Sequence, residues 1–411
     1  MTAGPHRRLT VRAYFDGERI VGGGPWAIIH DGAAILGIER AEGAVDAAFA
    51  MPSLVDAHVH VFLDGGELDA VRRKAAMAAD DDAVLDVARA NAERAWQAGI
   101  TVLRDAGDPR GVNHAIREEL AAARHPVALR SPGPALHRPG RYGSFLGRAV
   151  AHDGDIAAIV DELCDHVDDI KVLLTGVIDF ASGQVKGQPQ FDEAAARAVV
   201  GAARRRGRPA FAHCNGPEGL RVAIAAGFDS IEHGYLMDEE SLRAMAGDGV
   251  AWTPTLAPVA AQRRLDPAVS GFGPDILACL DGILARHADS IARAAQLGVP
   301  LYAGSDAGGQ GVPHGGGLID EILLMAAAGA PMETLLRGAT SLPRRRWGLD
   351  GGEIRPGAPA DLVLLPVSPM DEAAALGRVR HWRHEDSRDG LDGVGVKRGA
   401  KNQPTTKGEE T

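Results

Sequence analysis

The sequence has few cysteines, few aromatic residues and no excess of positive charge. Three cysteines in 411 residues are too few for a disulfide framework, and their spacing fits no zinc ribbon. The formal net charge of −11 argues against nucleic acid or an anionic membrane as the main partner, because phosphate binding needs a basic face. No apolar run approaches the roughly 20 residues of a membrane span, and the first residues lack a signal peptide's apolar core. We therefore expect a cytoplasmic protein that acts on a small molecule, with no nucleic-acid or membrane partner.

The two ends of the chain have β-like composition. Residues 9–50 hold short β-rich pieces separated by Gly, Asp and Glu, and the stretch GEIRPGAPADLVLLPVS after residue 351 is again β-like. We expect residues 1–51 and 351–383 to form one small β-sandwich domain from both chain ends. Residues 384–411 have almost no apolar content, which predicts a disordered tail.

Between these ends, residues 52–350 alternate short apolar strands with helix-length amphipathic segments. Eight strand candidates can be counted; in chain order they are LVDAHVHVF, ITVLRDAG, VALRSPGPAL, DIKVLLTG, PAFAHC, DSIEHG, VAWTPTL and LYAGSDAG. Eight strands each followed by a helix predict an α/β fold of the (β/α)8 TIM-barrel type, in which the active site forms at the carboxyl ends of the strands.

Several potential metal ligands fall at these strand ends. His58 and His60 are two residues apart on one strand and so project to the same side. Four later strands carry a further candidate each, listed here in chain order: Lys171, His213, His233 and Asp306. Taken singly, His213 and His233 would more often be structural residues and Asp306 could be a cap, but a barrel brings all these strand ends to one mouth.

The residues also carry a family resemblance. The runs MPSLVDAHVHVF, KVLLTG, AHC, SIEHG, GSDAG and GEIRPGAPADLVLL resemble the metal-dependent amidohydrolase superfamily over about residues 9–382. In detail they resemble its imidazolonepropionase-like and prolidase-like branch, which includes Xaa-Pro and Xaa-Arg dipeptidases.

The resemblance implies two divalent metal ions, with zinc expected from the ligand types. His58, His60 and Asp306 would bind the first ion, and His213 and His233 the second. Lys171, carbamylated on its amine, would bridge both ions, because a carbamate turns a buried ammonium into an anion that two cations can share.

The implied reaction is hydrolysis of a carbon–nitrogen bond in an amide, peptide or lactam. Two metals about 3.5–4 Å apart would acidify the water between them. Asp306 would act as general base and then as general acid, and we name Asp306 and His233 as the catalytic residues. An ester or lactone carbonyl would suit the same groups.

The loops after the strands are expected to hold the substrate. After the third strand, relatives usually carry a turn similar to Gly-Gly-His-Gly, whereas this chain reads HRPGRYGSFLG. The predicted substrate-binding residues are Arg141, Tyr142, Tyr235 and His314.

Two alternatives stay open. One is a mononuclear deaminase or cyclic-imide hydrolase with an unmodified Lys171, and the other is a metal-binding scaffold without catalysis. The residues fix neither the substrate nor the oligomeric state, although a homo-oligomer is compatible with the exposed helices of a barrel.

Overall fold

The computed structural model describes residues 6–382. Residues 1–5 and 383–411 lie outside the described part, and the predicted tail falls among them. None of the helices between residues 6 and 382 combines the length and the apolar character that crossing a membrane requires.

Strands from both chain ends share one seven-stranded sheet, here called the terminal sheet. Its strands are β1 (Arg7–Phe15), β2 (Ile20–Val21), β3 (Trp26–His30), β4 (Ile35–Arg40), β5 (Ala47–Pro52), β17 (Leu362–Leu365) and β18 (Arg380–His381). They follow the order β18-β17-β5-β1-β3-β4, and β2 pairs with β1. An apolar cluster that includes Leu9, Ile28 and Trp382 packs within this part of the chain.

The middle of the chain forms parallel sheets. Three strands make one of them: β6 (Leu54–Val59), β7 (Ile100–Asp105) and β8 (Ala128–Arg130). Six strands make the next: β9 (Ala135–His137), β10 (Gly147–Ala149), β11 (Ile170–Leu173), β14 (Ala210–Cys214), β15 (Ser230–His233) and β16 (Ala251–Thr253). The chain is thus a mixed α/β fold with parallel sheets.

The last strand candidate, residues 301–307, lies between the two parallel sheets. Parallel bridges join Leu301 to Trp252 in β16 and Ala307 to Val59 in β6. The amide of Asp306 also donates to the carbonyl of His58, with an N···O distance of 2.8 Å. This segment therefore places Asp306 beside the carboxyl end of β6.

Helices follow most of the parallel strands. They are α1 (Ala70–Met77), α2 (Asp81–Gln97), α3 (Val112–Ala122), α4 (Ile156–Leu163), α5 (Glu193–Arg205), α6 (Gly216–Ala226), α7 (Glu239–Asp248), α8 (Leu256–Arg264), α9 (Pro267–Ser270), α10 (Pro274–Leu297), α11 (Gly316–Ala327), α12 (Met332–Gly338) and α13 (Ser341–Arg346). Short 3₁₀ helices span Asp153–Asp155 and Ala373–Arg378.

The helices bury one face each against the sheets. In α2, the Asp80 carboxylate caps the first turn by accepting from the amide of Ala83, and Val84, Ala88 and Ala92 are buried at helical spacing. The buried faces of the helices pack against the strands and form one large apolar core with them. By contrast, α1 buries none of its residues.

A two-stranded hairpin, β12 (Ile178–Asp179) and β13 (Gln184–Val185), extends the loop after β11. It packs on α10 through a small apolar cluster that includes Ile178, Leu280 and Ile283. The hairpin thereby forms one wall above the carboxyl ends of the parallel strands.

Candidate active site

Three of the predicted metal ligands meet at the end of β6. Single ligand atoms of His58, His60 and Asp306 all lie within 4.8 Å of one another. The Oδ1 atom of Asp306 is 3.6 Å from Nε2 of His58 and 3.3 Å from Nε2 of His60. This His-His-Asp group offers the nitrogen and oxygen donors that divalent metal ions bind in proteins.

The other two histidines complete the cluster from the neighbouring strands. The imidazole centroid of His233 is 4.9 Å from that of His58 and 4.5 Å from that of His213. The parallel register of β14 and β15 pairs Cys214 with His233, which brings both histidines to the same edge of the sheet. The five side chains therefore form one continuous polar cluster.

Two of these residues have an unusual backbone conformation. His233 has a φ angle of 66° and Asp306 one of 57°, in the left-handed region that L residues seldom adopt. Such strain persists only where surrounding structure enforces it, and it concentrates at functional sites.

Lys171 lies in β11 beside this cluster. Its side chain is 2% exposed, and Nζ has no hydrogen-bond partner within residues 6–382. Nζ lies 4.6 Å from the centroid of the Phe211 ring. Burial lowers the pKa of Lys171 to about 8, so roughly a tenth of it is the neutral, nucleophilic amine at pH 7. An orphaned buried amine at this place fits a lysine that carries an added group.

Burial holds three of the imidazoles neutral, the state that metal ligation requires. Burial, followed by the charge of Lys171, lowers the pKa of His213 to about 3. Burial likewise lowers the pKa values of His58 and His233. Burial acts to raise the pKa of Asp306, but the hydrogen bond from His60, together with the electrostatic effect of the neighbouring histidines and Lys171, outweighs it, so Asp306 is a carboxylate.

A buried carboxylate orients the first ligand. Oε2 of Glu232 lies 2.7 Å from Nδ1 of His58, and Oε1 lies 2.8 Å from Nη2 of Arg104. Burial acts to raise the pKa of Glu232, yet the Arg104 charge and the His58 hydrogen bond hold it well below its usual range. With Nδ1 occupied, His58 presents Nε2 to the cluster.

The sequence did not reveal Glu232 in this role. Arg104 pairs with Glu232, whereas the neighbouring Asp105 accepts from the backbone amides of Val61 and Gly107. The available signal was an acidic residue inside an apolar strand immediately before His233.

The cluster forms the floor of a cavity of 300 Å³. Its walls are mainly apolar and aromatic, and they come from the strand-end loops, α1, the hairpin and the start of α8; the apolar wall residues are Leu63, Met77, Tyr142, Phe145, Leu146, Leu173, Val177, Ile178, Phe180, Tyr235, Pro258 and Val259. Such a cavity above a polar floor suits a small, largely apolar substrate.

Two of the four predicted substrate-binding residues line the cavity, and the other two lie outside its lining. Tyr142 lines the cavity, with its ring centroid 5.1 Å from that of His213. Tyr235 also lines it, although its hydroxyl donates to the carbonyl of Thr255. Arg141 is exposed outside the cavity lining and donates to the carbonyl of Gln188. His314 is buried outside the lining, and neither ring nitrogen has a partner within residues 6–382.

A larger cavity, of 430 Å³, lies at the amino ends of the strands. Its arginines include Arg204, Arg208 and Arg346, which donate to the carbonyls of Gly227, Cys164 and Gly249 at the carboxyl ends of α6, α4 and α7. Helix-end capping accounts for these charges, and the cavity has no metal-ligand cluster within the described residues.

Comparison with known proteins agrees with this geometry. Residues 49–381 match the amidohydrolase family. An uncharacterised protein of Mycobacterium tuberculosis is 30% identical over 343 residues, which cover 82% of this chain and 85% of that protein.

Two solved structures share the fold. A Xaa-Pro dipeptidase superposes with a TM-score of 0.76 and 24% identity over 91% of this chain and 97% of its own. The ochratoxinase of Aspergillus niger superposes with a TM-score of 0.75 and 18% identity over 92% and 94%. The resemblance to the amidohydrolase superfamily is thereby confirmed, and the fold is shared with a dipeptidase of the prolidase-like branch. The chain belongs to the amidohydrolase family and is a metal-binding hydrolase that acts on carbon–nitrogen bonds.

Proposed function

We propose that this protein hydrolyses an amide, peptide or lactam bond of a small molecule with the help of two divalent metal ions. The observation that carries the proposal is the convergence of four histidines, Lys171 and Asp306 on the floor of one apolar cavity. We also propose that the parallel strands close into an eight-stranded barrel, with residues 301–307 as the eighth strand. The terminal sheet would then be part of a β-sandwich domain built from residues 1–51 and 351–383.

The residues divide between the two ions as follows. His58, His60 and Asp306 would hold one ion, and His213 and His233 the other. Lys171 would hold both after its neutral amine adds carbon dioxide, which forms a carbamate and releases one proton. When bound, divalent cations such as zinc acidify water and polarise a carbonyl oxygen.

The side chains around the ions move the protons. Asp306, a carboxylate, accepts a proton from the attacking water and then donates it to the leaving nitrogen. We propose His233 as the second catalytic residue: its Nδ1 lies 2.7 Å from the hydroxyl oxygen of Thr255 and 3.9 Å from Oδ2 of Asp306, so the ring is held beside the carboxylate that carries the proton.

Tyr142 is placed to stabilise the oxygen that becomes negative. Burial raises the pKa of Tyr142, so its hydroxyl remains a hydrogen-bond donor across the physiological pH range. The ring packs against His213 on the cavity wall, from which the hydroxyl can donate to the carbonyl oxygen as charge develops there.

A mononuclear deaminase or cyclic-imide hydrolase is the second candidate. It is favoured by the compactness of the His58, His60 and Asp306 group, which can hold one ion without Lys171.

Metal content distinguishes the two candidates. We expect two zinc ions per chain by elemental mass spectrometry when the protein is purified with zinc and bicarbonate, and about one in Lys171→Ala. Lys74→Ala, which changes an exposed lysine on α1, is the control and should keep two. A wild-type content of one, unchanged in Lys171→Ala, would favour the mononuclear enzyme.

A further inference from the structure

Arg73 is a cation in the wall of the active-site cavity that the mechanism does not use. It projects from α1 together with Met77, one turn later, and both residues line the cavity. Among the described residues that line the cavity, Arg73 and Lys171 are the only arginine and lysine, and Lys171 lies on the floor.

Backbone carbonyls fix the Arg73 guanidinium. Nη1 donates to the carbonyls of Asp64 and Glu67 at 2.5 and 3.0 Å, and Nη2 donates to the carbonyl of Gly308 at 2.8 Å. A guanidinium has five N–H groups, so these contacts leave two without an acceptor in the part of the chain that the structure describes. The head group is therefore rigid and retains donor capacity.

The neighbouring acids do not neutralise this charge by direct pairing. The Asp64 carboxylate accepts from the amide of Gly66, and the Glu67 carboxylate pairs with Arg72 at 2.9 Å. All three acceptors of Arg73 are neutral carbonyls. A half-buried, fixed guanidinium of this kind favours a carboxylate ligand, which it can bind through two parallel hydrogen bonds.

The guanidinium is close to the reacting centre. Gly308, whose carbonyl holds Arg73, follows Asp306 by two residues, which limits the separation of their Cα atoms to about 7 Å. A Cβ on Gly308 would also meet the backbone of His60 at 2.6 Å. Arg73 and the proposed metal ligands line the same cavity, so one small substrate can place its carboxylate on Arg73 and its amide over these ligands.

The cavity offers no matching group for a substrate ammonium. Asp306 is the one carboxylate among its described lining residues, and it is already engaged with the histidines. A free amino terminus would thus be desolvated without a counter-charge, whereas an apolar acyl group would contact the aliphatic and aromatic walls.

We propose that the substrates are N-acylated amino acids with an apolar acyl group, and that Arg73 binds their free carboxylate. This rests on the proposed amide hydrolysis: water adds to the acyl carbon, the C–N bond breaks, the nitrogen gains one proton to become the amine of the free amino acid, and the acyl group is released as a carboxylic acid. Arg73 is then the residue that makes the enzyme prefer an acidic amide to a neutral one.

Equilibrium binding tests Arg73 without any turnover. Calorimetry compares 3-phenylpropanoate with 3-phenylpropan-1-ol on the zinc-loaded enzyme. We expect the wild type to bind the acid at least about tenfold more tightly, Arg73→Met to lose that preference, and Arg73→Lys to keep part of it. The control is Arg72→Met, which removes the adjacent exposed charge that pairs with Glu67 and should leave the preference intact. A preference that survives in Arg73→Met would overturn the proposal, because the metals would then bind the carboxylate.

Turnover tests the substrate class. For N-benzoyl-L-alanine we expect Arg73→Met to raise KM about tenfold with kcat within about twofold, and the kinetics of N-benzoyl-L-alaninamide to be unchanged. The dipeptide L-phenylalanyl-L-alanine should be a poorer substrate than N-benzoyl-L-alanine. Equal losses on the acid and the neutral amide, or faster cleavage of the dipeptide, would contradict the proposal. If none of these amides is cleaved, the proposed hydrolysis fails, while the binding comparison still decides the role of Arg73.

Discussion

Glu232 shows how much of the active site depends on a side chain that cannot reach the substrate. It is completely buried and is hydrogen-bonded to both His58 and Arg104. Partners of this kind fix the orientation of a metal-binding imidazole and raise its basicity.

Replacing Glu232 should therefore weaken metal binding. We expect Glu232→Gln to lower the zinc affinity about 10- to 100-fold. The reason is that a glutamine amide has one accepting oxygen and no charge, so it cannot accept from both His58 and Arg104 as the carboxylate does. Competition with a chromophoric chelator measures the affinity. Glu240→Gln, an exposed change on α7, is the matched control. Unchanged affinity in Glu232→Gln would show that the His58 contact does not tune the metal.

Tyr142 gives a prediction about rate. Tyr142→Phe should reduce kcat about 10- to 100-fold with little change in KM or zinc content, since the lost hydroxyl acts on charge that develops in the transition state. The control is Tyr14→Phe, which changes a tyrosine that packs against Trp26 in the terminal sheet. A rise in KM with normal kcat would instead assign Tyr142 to substrate binding.

At the scale of the elements, the apolar pattern predicted the parallel strands well. DIKVLLTG contains β11, PAFAHC contains β14 and DSIEHG contains β15, because a strand buried on both faces is a continuous apolar run. The third candidate is divided into β8 and β9 where Ser131, Pro132 and Gly133 interrupt it. Residues 301–307 supply isolated bridges rather than a regular strand.

The residues that we propose as metal ligands could be found in the sequence from their place at strand ends, whereas the walls of the cavity could not. Arg73 comes from a helix with no buried residues, so no hydrophobic periodicity marks its contact with Gly308 on a distant loop. The strands of the hairpin β12–β13 have two residues each, too few for an apolar pattern to indicate them.

The absence of buried residues in α1 has a dynamic consequence. We expect its amides to exchange with deuterium through local opening, much faster than those of α2, because little apolar burial opposes the opening. Asp69→Ala, which removes the cap on the amide of Arg72, should accelerate exchange in α1 alone, and Asp80→Ala provides the comparison on α2. Equal protection of the two helices would contradict this view. Mass spectrometry of peptides from both helices measures the difference.

At the scale of the whole molecule, buried neutral histidines make stability depend on pH. Burial lowers the pKa of His287 from 6.5 to about 4, and its Nε2 donates to the carbonyl of Pro254. Below pH 6.5 the unfolded chain therefore binds a proton that the folded chain excludes until about pH 4. The free energy of unfolding falls as the pH is lowered through this window.

Comparing a variant isolates this contribution. Between pH 7 and 5.5 we expect the wild type to lose about 1 kcal/mol more unfolding free energy than His287→Gln, as measured by urea denaturation. His152→Gln, which changes an exposed histidine, should behave as the wild type does. The same loss in all three proteins would mean that His287 is not the source.

The terminal sheet has a consequence for synthesis on the ribosome. β5 lies between β1 and β17, so the first fifty residues of the chain cannot complete their sheet until residues 362–365 have been translated. Until then the nascent chain leaves β5 with an unpaired edge, which is a site for association with other chains. Any delay in translating the last part of the chain, through codon usage or chaperone capture, would therefore prolong the time for which the edge of β5 is exposed.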